Sequence, residues 1–130
     1  MWVLDTNTLI YFFKGIGNVA QNILSRPPSD IAVPAIVLYE LRVGIEKSEA
    51  PQKRVSELFD FTSQVEVLPF GIAEAEYAAV IRANLEKKGT PIGPYDILIA
   101  ATALSKNSTL ITHNIKEFSR VENLIIEDWY

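Results

Sequence analysis

The stretch Trp2-Val3-Leu4-Asp5-Thr6-Asn7-Thr8 decides the fold. Trp2 to Leu4 has no polar residue alternating with an apolar one. That pattern belongs to a short strand buried on both faces, as in the middle of a parallel sheet. Asp5 ends the strand, and Thr6 to Phe13 continues as a helix. Downstream, the alternation repeats. A helix runs from about Asn18 to Ser25, and Ile31 to Val33 is a second strand. Pro34 opens a long helix to about Lys47, because proline fits a helix's first turn. Pro51 to Thr62 is helical, with Val55, Leu58, Phe59 and Thr62 on one face. Val65 to Pro69 is a strand. Ile72 to Lys88 is a helix with Tyr77, Ile81 and Leu85 at intervals of four. Pro94 opens another, with Ile97, Ala100, Ala101 and Leu104 inward. Thr109 to Thr112 and Leu124 to Ile126 complete the strands. Short apolar strands separated by helices imply an α/β domain with a parallel sheet covered on both faces. Ligands of such sheets bind beyond the carboxyl ends of the strands. Asp5, Thr6, Thr112 and Asn114 are therefore the informative polar residues.

Composition narrows the chemistry. The 130 residues suggest one domain, 1–130. Hydrophobic residues make up 48% and mean hydropathy is +0.14, which argues against disorder. No apolar run reaches the roughly 18 residues of a membrane span. Met1-Trp2-Val3-Leu4-Asp5 lacks the basic start of a signal peptide, so a cytoplasmic location is expected. With no cysteine there is no disulfide framework, thiolate zinc site or cysteine nucleophile. With one histidine, His113, any metal must sit mainly among oxygen ligands. The net charge of −4, from 16 acids and 12 bases, counts against strong nucleic-acid binding, although a local basic rim can coexist with it.

Three acids stand in apolar surroundings. Glu40 lies mid-helix, and its neighbours three and four positions away are Ile36, Val37, Val43 and Gly44. Asp96 has Ile92, Gly93, Ile99 and Ala100 at the same offsets. Asp5 follows a strand that should be central. An ionised carboxylate in an apolar wall costs several kcal/mol unless it is paired or bound to metal. No lysine or arginine lies at pairing distance in sequence for any of the three. A hard divalent cation is the simplest compensation. Structural readings stand beside this one. Asp96 suits a helix's first turn, Asp5 suits an N-cap, and Glu40 would need a distant base.

Thr112-His113-Asn114-Ile115-Lys116-Glu117-Phe118 adds a fourth cluster. The Thr112 hydroxyl and Asn114 amide should face the same crevice, where either can hold a water. Glu117 is either a fourth carboxylate or a solvated acid on a short helical turn. His113 should point away. Asn7 either orients the site or stabilises a turn. Arg82, Lys87 and Lys88 either reach a phosphate backbone or line a solvated helix face. The run Leu9 to Phe13 reads as core, with a possible oligomer contact.

Taken in order, Val-Leu-Asp-Thr-Asn at Asp5, Leu-Tyr-Glu-Leu at Glu40, Pro-Tyr-Asp-Ile-Leu-Ile-Ala-Ala at Asp96, Leu-Ile-Thr-His-Asn-Ile-Lys-Glu-Phe and Ile-Glu-Asp-Trp resemble the PIN-domain family. Within it, they resemble the VapC-like ribonuclease toxins of bacterial type II toxin–antitoxin systems. The resemblance covers nearly the whole chain. It implies a three-layer α/β/α fold with a parallel sheet of four or five strands. It also implies a metal-dependent endoribonuclease, often acting on tRNA. Asp5, Glu40 and Asp96 match the family's acidic positions. Asn114 stands where many members carry a fourth acid, and Glu117 resembles the acid of members with this variant. A cognate VapB-like antitoxin, able to push a basic side chain into the acidic pocket, and a homodimer are implied as well.

The expected reaction is phosphodiester hydrolysis by water on Mg²⁺ or Mn²⁺ held by Asp5, Glu40 and Asp96, with Asn114 and Thr112 or Thr6 orienting water or phosphate. It should leave a 5′-phosphate and a 3′-hydroxyl. Two alternatives stand beside this reading. An aspartyl phosphatase of the haloacid-dehalogenase type needs Asp-x-Asp-x-Thr, whereas the run here is Asp5-Thr6-Asn7-Thr8. A non-catalytic binding module would be signalled by loss of a central acid, and none is lost.

Overall fold

A computed structural model describes residues 1–130. Strands β1 (Trp2–Leu4), β2 (Ile31–Pro34), β3 (Glu66–Leu68), β4 (Thr109–Ile111) and β5 (Ile126–Glu127) form one sheet in the order β3-β2-β1-β4-β5. Every pairing is parallel. Helices α1 (Thr6–Lys14), α2 (Val19–Leu24), α3 (Ala35–Glu46), α4 (Pro51–Thr62), α5 (Ile72–Lys88), α6 (Pro94–Ser105) and α7 (Ile115–Phe118) connect them. The five-stranded α/β architecture agrees with the expected one.

Burial follows position in the sheet. Val3 and Leu4 of β1, Ala32 and Val33 of β2, and Leu110 and Ile111 of β4 are all fully buried. At the β3 edge only Leu68 is buried. The apolar core is one cluster of 26 buried residues that runs from the sheet into the flanking helices. Helix α6 is buried nearly all round, with Ile97 and the run Ile99 to Ala103 inside. Its alanines let it lie close against α5.

Four details depart from the sequence reading. Pro34 is the last residue of β2 and the cap before α3, rather than a helical residue. Its missing N–H is tolerated at a strand end, where the ladder stops. A 3-10 turn over Pro28–Asp30 precedes β2. The last strand lies at Ile126–Glu127 rather than at 124–126. Phe59 and Tyr77, expected inward, are 69% and 45% exposed. Leu58, Ile81 and Leu85 fill the corresponding core positions.

The C-terminal segment is stapled onto the helical layer. Trp129 is 4% exposed. The Arg26 guanidinium lies 4.1 Å from its ring and 4.9 Å from that of Trp2. The Asn18 amide donates to the Tyr130 carbonyl at 2.6 Å, and Asn22 Nδ2 donates to the Trp129 carbonyl at 3.1 Å. Gly15 and Gly17 both hold left-handed backbone, with φ of 67° and 64°. They differ in their surroundings. A Cβ on Gly17 would stand 2.6 Å from the Tyr130 carbonyl oxygen, whereas one on Gly15 would meet nothing within 4 Å. Gly15→Ala is therefore expected to lose about 1–2 kcal/mol from backbone strain alone. Gly17→Ala should lose more, and the difference measures the tail contact. Urea unfolding of the two variants checks this, and equal losses would show that the tail yields freely.

Candidate active site

The strand order reverses at β1. From β1 the chain moves outward through β2 to β3, then crosses back by α5 and α6 to β4 on the other side of β1. A crevice opens at such a switch point, beyond the carboxyl ends of the two diverging strands. Asp5 follows β1 and Thr112 follows β4, so both face it.

Asp5 is 4% exposed and held from both sides. Its amide donates to the Ile111 carbonyl at 3.1 Å. Its Oδ1 accepts the Thr8 amide at 2.9 Å, which caps α1. The capping and the site readings of Asp5 are thus both compatible with its geometry, because a cap uses one carboxylate oxygen and leaves the second. Thr8 Oγ1 donates to the Ile111 carbonyl at 3.1 Å and ties α1 to β4. Burial pushes the Asp5 carboxyl above its ordinary range. Hydrogen bonding by Thr112 and Thr8 opposes that rise, and the Glu40 charge adds to it.

Glu40 comes from the middle of α3, half-buried, and its Oε1 accepts the Thr6 hydroxyl at 2.7 Å. Asp96 comes from the first turn of α6. A helix N-terminus favours an ionised acid there, yet its pKa is pushed up to about 6. Burial is the main cause, followed by the charges of Asp5, Glu117 and Glu40. Asp96 thus feels all three other acids at once. Glu117, on α7, accepts Asn114 Nδ2 at 3.2 Å. Asn114 also donates its amide to Thr112 Oγ1 at 3.0 Å.

None of the five ion pairs in the chain involves Asp5, Glu40, Asp96 or Glu117. The charges of Asp5, Glu40 and Glu117 therefore all act on Asp96, and none of the four acids is in an ion pair. They do not form a closed cage, because no three acidic or imidazole groups lie close enough to hold an ion as they stand. The donor set is nonetheless all oxygen, partly buried and over-charged, which suits a hard cation that keeps several of its waters. A cavity of about 770 Å³ between α5 and α6 is mostly apolar, and none of these acids lines it.

A family model described as PIN domain matches residues 2–124. The chain belongs to the PIN-domain family. A tRNA(fMet)-specific endonuclease VapC of Salmonella typhimurium is 38% identical over 128 residues, spanning 98% of this chain and 97% of its own. Two solved structures superpose with TM-scores of 0.92 at 38% identity, each covering 99% of this chain and 98% of theirs. They are VapBC2 from Rickettsia felis bound to a DNA fragment from their promoter, and DNA-bound VapBC from Salmonella typhimurium.

The remaining candidates take these places in the PIN domain. The Thr6 hydroxyl donates to Glu40, and Thr112 bonds Asn114 and Asp5, so both hold protein groups at the site. Asn114 positions Glu117. His113 is 45% exposed at its side chain, bonds Asp128 Oδ2 at 2.9 Å and stacks on Tyr130 at 4.1 Å, away from the acids. Arg82 pairs with Glu86 and Lys88 with Glu122, so two of the three basic candidates on α5 are occupied within the chain. Lys14 and Arg54 carry no signal of a site role in the sequence. They line a cavity of about 200 Å³ that reaches Glu40, and neither forms an ion pair. Only tertiary structure brings them there, since they lie on α1 and α4.

The raised Asp96 pKa has a stability consequence with a definite sign. In the unfolded chain this acid ionises near 3.8, and in the folded chain near 6. Folding is therefore disfavoured by the Asp96 charge above pH 6, and the penalty fades as pH falls between those values. Without divalent ions, Asp96→Asn should melt at a higher temperature than the parent at pH 7.5, and the gain should shrink towards pH 5. Thermal melts in EDTA across that range check it. A gain that does not change with pH would refute the charge account.

Proposed function

We propose that this PIN domain is an endoribonuclease that hydrolyses RNA phosphodiesters, with tRNA as its substrate class, and acts as the toxin of a toxin–antitoxin pair. One observation carries the reading: Asp96, beyond the carboxyl ends of the central strands, feels the charges of Asp5, Glu117 and Glu40, and none of the four acids is in an ion pair. Keeping such charges together lowers stability, and a catalytic pocket is where that cost has a use. The names of the relatives support the same reaction and partner.

Asp5, Glu40 and Asp96 would hold Mg²⁺ or Mn²⁺. When bound, such an ion lowers the pKa of a coordinated water and offsets the negative charge of the phosphate. The chain's own groups do the positioning. Thr6 fixes the rotamer of Glu40, and the Thr8 amide fixes Asp5. Asn114 turns Glu117 towards Asp96. Lys14 and Arg54, beyond Glu40, supply positive charge for a neighbouring phosphate in a chain that is acidic overall. A VapB-like antitoxin would silence the site by placing a lysine or arginine among the acids, which is the same electrostatic solution as the metal. The reading includes a cytoplasmic location and a homodimer. No helix is long and apolar enough to cross a membrane. Exposed Ile72, Tyr77 and Val80 give α5 an apolar surface for a second copy.

The purified chain should cut labelled RNA with Mg²⁺ or Mn²⁺, leave 5′-phosphate ends and stop when EDTA is added. Asn114→Ala should slow cleavage about ten- to a hundredfold, as expected for a residue that orients an acid. Asp5→Asn, Glu40→Gln and Asp96→Asn should fall further while keeping the parent circular dichroism. Wild-type rates in Asp5→Asn or Asp96→Asn would overturn the assignment.

A further inference from the structure

Two of the site's acids share a local pattern. Tyr39 precedes Glu40 and Tyr95 precedes Asp96. Helices α3 and α6 pack together, and the two tyrosines meet across that contact. Their ring centroids are 5.6 Å apart, tilted by 57°, and their hydroxyls lie 3.4 Å apart. Glu40 and Asp96 follow these phenols on the same two helices. Aromatic pairs usually bury most of their area. Here 51% of Tyr39 and 43% of Tyr95 remain exposed, beside the pocket. Tyr95 also feels the charge of Glu40, which places it at the rim of the acidic group.

We propose that Tyr39 and Tyr95 form a stacking platform for an unpaired nucleobase of the RNA strand whose phosphate enters the acidic pocket. The inference rests on the ribonuclease reading and names how that site holds its substrate. The pocket itself repels a phosphodiester, so affinity must come from groups that carry no negative charge. Stacking on an aromatic face meets that need and tolerates any base. A base reaches the rings only when it is free of its own helix, which favours loops over duplex RNA. Two half-exposed rings are also far smaller than the roughly 800 Å² per partner of a stable protein contact.

The test is a cycle between protein and RNA on a loop-bearing oligonucleotide cut by the full chain with Mg²⁺. Tyr39→Ala and Tyr95→Ala should each raise KM on the order of tenfold with kcat within about threefold. Tyr39→Phe and Tyr95→Phe should stay near the parent, because the ring stacks and the hydroxyl does not. Removing one base near the cut should raise the KM of the parent equally, and the alanine variants should then show no further loss. Additive losses, or alanine variants with the parent KM, overturn the platform and leave the nuclease reading standing. An unchanged KM with a shift in sedimentation would make the pair a protein contact and overturn it too. A parent chain that does not cut RNA sinks both.

Discussion

Negative charge confined without a resident counter-charge is the constraint on which the rest of the molecule depends. Asp5 cannot swing away from its neighbours. Its amide is tied to Ile111, and its carboxylate closes the first turn of α1. Asp96 begins a helix buried almost all round, so its position is set by the packing of α6. Glu40 is anchored by a hydroxyl from a third element. Each acid is held by groups that also serve the fold, and the repulsion among them is the residue that folding does not remove. A protein selected for stability alone would have replaced one of them.

The sheet explains why these acids meet. An all-parallel order of β3-β2-β1-β4-β5 places the two chain reversals on opposite sides of β1. The carboxyl ends of β1 and β4 then diverge, and the loops that leave them have room for polar groups that the interior refuses. Helix α3 brings Glu40 and helix α6 brings Asp96 to that end of the sheet. Apolar strands and a polar rim are thus two outcomes of one topology.

The fold was legible because the strands are short, unbroken apolar runs with helices between them. Residues Trp2–Leu4 and Ile72–Lys88 were readable almost to the residue. The acids were legible because Glu40 and Asp96 interrupt apolar helix faces. The errors have physical causes. Spacing places Phe59 and Tyr77 on a stripe but cannot say where the stripe ends, and both fall on its outer edge. The role of Thr6 was hidden because its partner is 34 positions away. The link from Asn114 to Glu117 is local, spanning three residues, yet either side chain alone reads as an ordinary turn residue. Tyr39 and Tyr95 were visible as residues preceding acids, but their meeting depends on how α3 and α6 cross.

The pairing of Trp2 with Thr109 has a consequence during synthesis. The central strand is made well before its neighbour on one side. Closing so long a loop is entropically slow. Until β4 emerges, Ile111 and Thr112 are missing from the pocket, and Asp5 lacks two of the groups that hold it. A growing chain cannot restrain Asp5 fully before β4 has been made. The four acids are thus brought under their final restraints late, by one of the longest-range pairings in the sheet.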